Sequence, residues 1–90
     1  MSLSRTIAQF KDSPEELSKI FQKVAREIYA NPAYADYKND RMRKIFKGAF
    51  RPEFRKLHQG GMPKQELSRL RNVSLQHFHR VRDELRRVEP

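Results

Sequence analysis

Between Ser13 and Tyr29, apolar residues recur at every third or fourth position, which is the repeat of an α-helix with one buried face. Ser13 suits the N-cap of this helix, Pro14 its first position, and Glu16 the carboxylate partner of a capping box. The apolar stripe comprises Leu17, Ile20, Phe21, Val24, Ile28 and Tyr29. The segment is therefore predicted to form an amphipathic helix that belongs to the scaffold of the fold.

Proline and glycine divide the following residues into shorter helical segments. Pro32 predicts the start of a second helix that ends near Gly48, and Pro52 predicts a break before a third, short helix. The glycine pair that begins at Gly60 is expected to end that third helix. Within residues 1–10, Leu3, Ile7 and Phe10 suit a helical turn, whereas residues 5–10 also fit a strand, so both alternatives stay open.

The C-terminal third contains a pattern of small, apolar and polar residues that resembles a known family. Ser74 is suited to cap a final helix. The residues that end at this serine, 66–74, read Glu-Leu-Ser-Arg-Leu-Arg-Asn-Val-Ser, and this pattern resembles the helix-turn-helix family. The resemblance covers roughly residues 63–83. It implies that two helices cross at Ser68 and that the chain turns at Asn72.

These elements predict an all-α fold, a small bundle of four to five short helices in one domain, residues 1–90, whose C-terminal pair is helix-turn-helix-like. The predicted core consists of Phe21, Val24, Ile28, Ile45, Phe46, Leu70, Phe78 and Val81. With 37% hydrophobic residues in a chain of 90, this core is lean, which leaves room for a homodimer to complete the burial.

The net positive charge of the chain is confined to its second part. The formal net charge is +9, from 20 Lys and Arg against 11 Asp and Glu. Residues 1–40 carry six bases and six acids, so the entire excess lies in residues 41–90. The first part is therefore predicted to serve as a scaffold or dimerisation surface, and the second part is predicted to face nucleic acid.

Two groups of residues in the basic part are the predicted nucleic-acid contacts. The first group is expected to grip phosphates and comprises Arg41, Arg43, Lys44, Lys47, Arg51, Arg55 and Lys56. The second group belongs to the C-terminal helices and comprises Lys64, Arg69, Gln76, His77, His79 and Arg80. The helix-turn-helix resemblance implies that Gln76 and Arg80 reach base edges in the major groove. The alternative is that both groups are solvated faces of ordinary amphipathic helices.

The chain lacks the residue patterns of common catalytic and metal sites. It has no cysteine, and its glycine pair is not followed by the Lys-Ser/Thr of a phosphate-binding loop. His77 and His79 are two positions apart on a predicted helix, so their side chains diverge by roughly 200° and do not converge on one metal ion. No pair of carboxylates stands out as an acid and a base. We therefore expect a protein that is not an enzyme and uses no cofactor, metal or small-molecule substrate.

These observations lead to the hypothesis of a DNA-binding regulator or accessory factor, with transcription regulation as the expected role. An RNA-binding module is the first alternative, and an adaptor or inhibitor that binds an acidic protein is the second. The sequence contains no apolar run of about 18 residues and no signal-peptide pattern near its start, so a soluble, cytoplasmic protein without membrane contact is expected.

Overall fold

The computed structural model describes residues 3–88, and the chain forms four α-helices in this range. The helices and the single 3-10 turn are, in order, α1 (Leu3–Gln9), α2 (Pro14–Ala30), the 3-10 turn (Pro32–Tyr34), α3 (Asn39–Gln59) and α4 (Lys64–Val88). The described residues contain no strand, so the helical alternative for the N-terminal segment is correct and the all-α bundle is confirmed. None of these helices combines the length and the apolar composition needed to cross a membrane.

Helix α2 forms where the apolar stripe predicted it, although its capping differs from the expectation. Ser13 has the extended backbone of an N-cap, with φ −110° and ψ 98°, but its hydroxyl makes no capping hydrogen bond. The helix start relies instead on Pro14, which has no N–H to satisfy, and on two glutamates that favour the positive end of the helix dipole. Beyond its C-terminus, Asn31 caps the 3-10 turn, so the next α-helix begins at Asn39 and not at Pro32.

The predicted helix end near Gly48 and the predicted break at Pro52 are wrong, because α3 continues through both for 21 residues. Pro52 has no N–H, so the carbonyl of Gly48, four residues earlier, loses its donor within the helix. Both residues are exposed, and water can hydrate that carbonyl. The opposite face of α3 buries Phe50 and Phe54, and this burial keeps the segment helical across the proline.

The helix-turn-helix-like pair is not confirmed, because Lys64–Val88 is one uninterrupted helix of 25 residues. Asn72 lies inside this helix with a negative φ, so the predicted turn at this position is wrong. Ser74 does not cap a new helix, since it is buried and its Oγ donates to the carbonyl of Arg71 at 2.6 Å. A single buried stripe continues across both predicted helices and comprises Leu67, Leu70, Ser74, Phe78 and Val81. Packing of this stripe favours a continuous helix over the local turn signal.

The glycine pair ends α3, as predicted. Gly61 has φ 104°, in the left-handed region that favours a residue without Cβ. The N–H of Met62 donates to the carbonyl of Leu57 at 3.0 Å, which satisfies an acceptor at the helix end. This tight turn lets α4 run back along α3.

Helices α2, α3 and α4 pack around one core, and α1 lies against α3. The centre of the core is a cluster of phenylalanine rings, in which the centroid of Phe50 lies 5.1 Å from that of Phe21 and 5.0 Å from that of Phe46. Among the predicted core residues, Val24 and Ile45 are only partly buried, and the other six are buried. Most of the predicted core is therefore confirmed.

Candidate nucleic-acid interface

One side of α3 carries a row of basic side chains. Its members follow one another at spacings of three or four residues and therefore lie one above another: Lys44, Lys47, Arg51, Arg55 and His58. All five side chains are exposed. The row runs next to the buried face of α3, on the side that borders α4.

A groove between α3 and α4 contains the central part of this row. One section has a volume of about 300 Å³ and is lined by Lys47 and Arg51 from α3 and by Arg71 from α4. The adjoining section, of about 440 Å³, is lined by Arg51 and Arg55 and by Lys64 from the start of α4. We call this surface, defined by Lys47, Arg51, Arg55, Lys64 and Arg71, the basic groove.

No carboxylate balances the charge of the basic groove. No Asp or Glu lines either section, and within residues 3–88 none of the five defining cations forms an ion pair. The floor between them includes the apolar side chains of Phe50, Phe54 and Leu67. Like charges above an apolar floor create a positive potential that attracts polyanions. The groove therefore presents charged hydrogen-bond donors to an anionic ligand.

Arg71 is the member of the basic groove that the sequence analysis missed. Its guanidinium lies over the ring of Phe54, 5.6 Å from the centroid, and this cation–π contact helps to fix the side chain on the wall of the groove. The helix-turn-helix resemblance places a turn at Asn72, so it assigns Arg71 to the link between two helices and not to the same helical face as Lys64. If residues 64–75 are instead taken as one helix, Lys64, Arg71 and Leu75 share one face, and this pattern identifies Arg71 as a neighbour of Lys64.

Further cations extend the positive surface toward the start of α3. The guanidinium of Arg41 lies over the ring of Tyr37, 4.0 Å from its centroid. Burial is the main cause that lowers the pKa of His79 in α4, and the charges of Arg82 and Arg43 lower it further. Arg43 of α3 and Arg82 of α4 therefore lie close to the same imidazole, beyond the end of the basic groove.

Lys56 and Arg69 lie apart from the basic groove and have acidic partners. The Nζ of Lys56 is 3.7 Å from a carboxylate oxygen of Glu53. Arg69 forms ion pairs with Asp12 and with Glu66, and its hydrogen bond is the main cause that lowers the pKa of Glu66. Both predicted contacts are thus neutralised locally and are expected to add little to the binding of a polyanion.

Gln76, His77 and Arg80 lie on the side of α4 that faces α2. Gln76 and His77 line a crevice with Pro14 of α2, and the ring of His77 stacks on Phe21 at 6.3 Å. Burial is the main cause that lowers the pKa of His77, and the charge of Arg80 lowers it further. The structure therefore does not bring these three predicted contacts together with the cations of the basic groove.

The side chains of His77 and His79 diverge, as their spacing predicted. His77 stacks on Phe21 of α2, whereas His79 lies near Arg43 of α3. The Nδ1 atom of each ring is buried and has no hydrogen-bond partner in the described part of the chain. No group of three His, Cys, Asp or Glu side chains that could hold a metal ion is present among residues 3–88.

Comparison with known proteins does not assign this chain to a family. No family model, curated protein or solved structure matches it. Its function must therefore be inferred from the charge and the geometry of its own surface.

Proposed function

We propose that this protein binds nucleic acid through the phosphate backbone, with DNA as the favoured polymer and the basic groove as the contact surface. One observation supports this most directly: cations from two helices line one surface without a carboxylate partner among residues 3–88. Helices hold these cations in a preorganised array, so less freedom is lost when phosphates bind. A regulator or accessory factor on DNA is the role that such binding would serve.

Phosphate contacts account for this surface better than base contacts do. Guanidinium and ammonium groups bind phosphate oxygens on any sequence, whereas base readout requires side chains that enter a groove of the duplex. Gln76 and Arg80, the predicted base contacts, lie on the other side of α4 from the basic groove. The protein is therefore expected to bind duplexes of different sequence with similar affinity.

A duplex suits the basic groove better than a single strand does. The basic side chains of α3 recur about once per helical turn, roughly every 5.4 Å, and a duplex presents a regular phosphate array to them. A single-stranded loop is usually held by bases that stack on exposed aromatic rings. The rings under the groove, Phe50 and Phe54, are only 1% and 3% exposed and are not accessible for stacking.

Titration with duplex DNA, single-stranded DNA and structured RNA at several salt concentrations tests the proposal. The logarithm of the binding constant falls linearly with the logarithm of the salt concentration, with a slope of about −0.9 for each phosphate contact. The five cations of the groove therefore predict a slope of about −4 to −5. Tightest binding to duplex DNA supports the proposal. A preference for RNA would favour the RNA-binding alternative, and no binding to any polyanion at physiological salt would favour the acidic-protein adaptor.

A matched pair of charge variants separates the basic groove from the net charge. Arg51→Ala/Arg55→Ala removes two charges from the groove, and Lys19→Ala/Lys23→Ala removes two exposed charges from α2. We expect the groove variant to lose about tenfold to a hundredfold in affinity for every duplex, and the α2 variant to lose less than about threefold. Equal losses would assign binding to the overall charge and not to the groove.

A further inference from the structure

All three tyrosines of the chain surround one pocket, where the 3-10 turn meets the start of α3 and the end of α4. The volume of this pocket is about 390 Å³, within the roughly 300–1,000 Å³ of ordinary ligand sites. The rings of Tyr34 and Tyr37 stack at 5.3 Å with an angle of 30° between their planes. We call this site, lined by Tyr29, Tyr34 and Tyr37, the tyrosine pocket.

A hydrogen-bond donor lines the tyrosine pocket beside the aromatic rings. The hydroxyl of Tyr29 donates to Oδ1 of Asn39 at 3.2 Å, which orients the amide group. The Nδ2 of Asn39 makes no hydrogen bond within the described part of the chain, so it can donate to a ligand. Aromatic faces next to an amide are a combination that recognises the face and the edge of a nucleic-acid base.

Two guanidinium groups bring positive charge to the tyrosine pocket. Arg82 and Arg86 line it, and their charges lower the pKa of Tyr29 in part, while burial, the largest cause, raises that pKa overall. Arg82 is paired with Asp83 at 3.1 Å. Arg86 is exposed and forms no ion pair among residues 3–88, so it is available to bind a phosphate.

Arg82 lines the tyrosine pocket on the side nearer in α4 to the basic groove, although it does not line the groove itself. Its charge acts on Tyr29 in the pocket and on His79, which faces α3. The charge of Arg43 in α3 also lowers the pKa of His79. Positive charge therefore continues along the α3–α4 pair from the basic groove to the pocket.

We infer that the tyrosine pocket binds the base of an unpaired nucleotide that adjoins a duplex held on the basic groove. The base stacks against the ring of Tyr34, which Tyr37 supports from below by its own stacking contact, Asn39 donates to the edge of the base, and Arg86 binds the adjacent phosphate. This inference rests on the proposed function and narrows it. The partner becomes a DNA end with a single-stranded extension.

Tyrosine fluorescence reports on this pocket alone, because the chain has no tryptophan and all three of its tyrosines line it. Three DNA ligands share one duplex: one is blunt, one has a short single-stranded extension, and one has an abasic extension of equal length. The abasic extension carries the same phosphates without the bases. We expect the normal extension to bind about fivefold to a hundredfold more tightly than the abasic one, and it alone should quench the tyrosine emission.

Two variants examine the tyrosine pocket by different routes. Tyr34→Leu removes a stacking ring, and Arg86→Gln changes an exposed side chain that is not part of the core. Tyr34→Leu should reduce the preference for the normal over the abasic extension, whereas Arg86→Gln should weaken binding to both extended ligands alike, because both carry the phosphate that Arg86 binds. In both variants the affinity for the blunt duplex should stay within about threefold. Lys23→Ala, at an exposed position of α2, is the control and should retain the preference.

The outcomes distinguish this inference from the proposed function. Equal affinity for the normal and abasic extensions, with unchanged tyrosine emission, would overturn the inference, although binding to the blunt duplex would still support the proposed function. No binding to any of the three ligands would overturn the proposed function itself. Equal quenching by free adenosine monophosphate at the same concentration would assign the pocket to free nucleotides and overturn its link to DNA ends.

Discussion

At the scale of single residues, the two histidines of α4 couple stability to pH. Burial lowers the pKa of His77 and of His79 below the ordinary value of 6.5, and their buried Nδ1 atoms have no partner within residues 3–88. A histidine whose pKa is lower in the folded than in the unfolded chain favours folding while it is neutral, above about pH 6.5. That contribution is lost as the pH falls through the folded-state pKa. We therefore expect the melting midpoint to decrease between about pH 7.5 and pH 5.

Thermal unfolding followed by circular dichroism checks this expectation. His77→Phe should reduce the pH dependence, because it removes one of the groups that must take up a proton. His58→Gln is the control, since His58 is exposed and lies outside α4. The pKa of Glu66 is lowered below 4.5, so Glu66 stays ionised across this range. A midpoint that does not change with pH would contradict the expected role of the histidines.

The aromatic centre of the core leads to a second expectation for single residues. Phe21 and Phe78 are fully buried, so Phe21→Ala and Phe78→Ala should each lower the free energy of unfolding by about 3–5 kcal/mol. That is a large share of the roughly 5–15 kcal/mol of a small domain. Val24→Ala, at a partly buried position, should cost less. Urea denaturation measures the free energy of unfolding of all three variants. An equal decrease in all of them would contradict the observed difference in burial.

At the scale of elements, α3 forms despite Pro52, which destabilises the helix. The proline removes one hydrogen bond from an exposed helical turn, and a helix interior favours Ala over Pro by roughly 3 kcal/mol. Pro52→Ala is therefore expected to raise the free energy of unfolding by about 1–3 kcal/mol in urea denaturation. The Cβ that Gly48→Ala adds meets no atom within 4 Å, so this substitution should raise the free energy of unfolding by about 0.5–1 kcal/mol. A less stable Pro52→Ala protein would show that a bend at the proline is required for packing.

The elements that could be predicted from sequence are those in which local signals and packing agree. Helix α2 has both a start signal and a regular apolar stripe, and the turn after α3 has a glycine that adopts positive φ. At Asn72 the two sources of information conflict. Turn-forming residues disfavour a helix by less than about 1 kcal/mol each, whereas burial of a side chain such as Leu70 or Phe78 contributes roughly 1.5–3 kcal/mol. Because burial stabilises the helix by more than the turn-forming residues destabilise it, the helix continues.

At the scale of the whole molecule, the net positive charge belongs to the part of the chain that forms α3 and α4, whereas residues 1–40 are neutral overall. The balance within residues 1–40 and the excess within 41–90 could be predicted from the sequence, because charge totals do not depend on the fold. The basic groove could not be predicted in the same way. The groove exists because residues 64–88 form one helix that packs along α3. This helix places Arg71 opposite Arg51 on a surface that only α3 and α4 line. The groove therefore combines three cations of the sequence cluster in α3 with two cations of α4, Lys64 and Arg71, that only the fold brings beside them.

Arg71 and Arg80 provide a comparison within one helix, because both are exposed arginines on opposite sides of α4. Arg71→Ala should weaken binding to all duplexes alike and lower the salt slope by about 0.9, since one phosphate contact is lost. Arg80→Ala removes the same charge on the α2 side and should leave the slope unchanged. Fluorescence anisotropy with two unrelated duplexes at several salt concentrations measures both quantities. Equal changes in slope for the two variants would assign binding to net charge. If Arg80→Ala lowered the affinity for only one of the two duplexes, this result would support the prediction that α4 contacts bases.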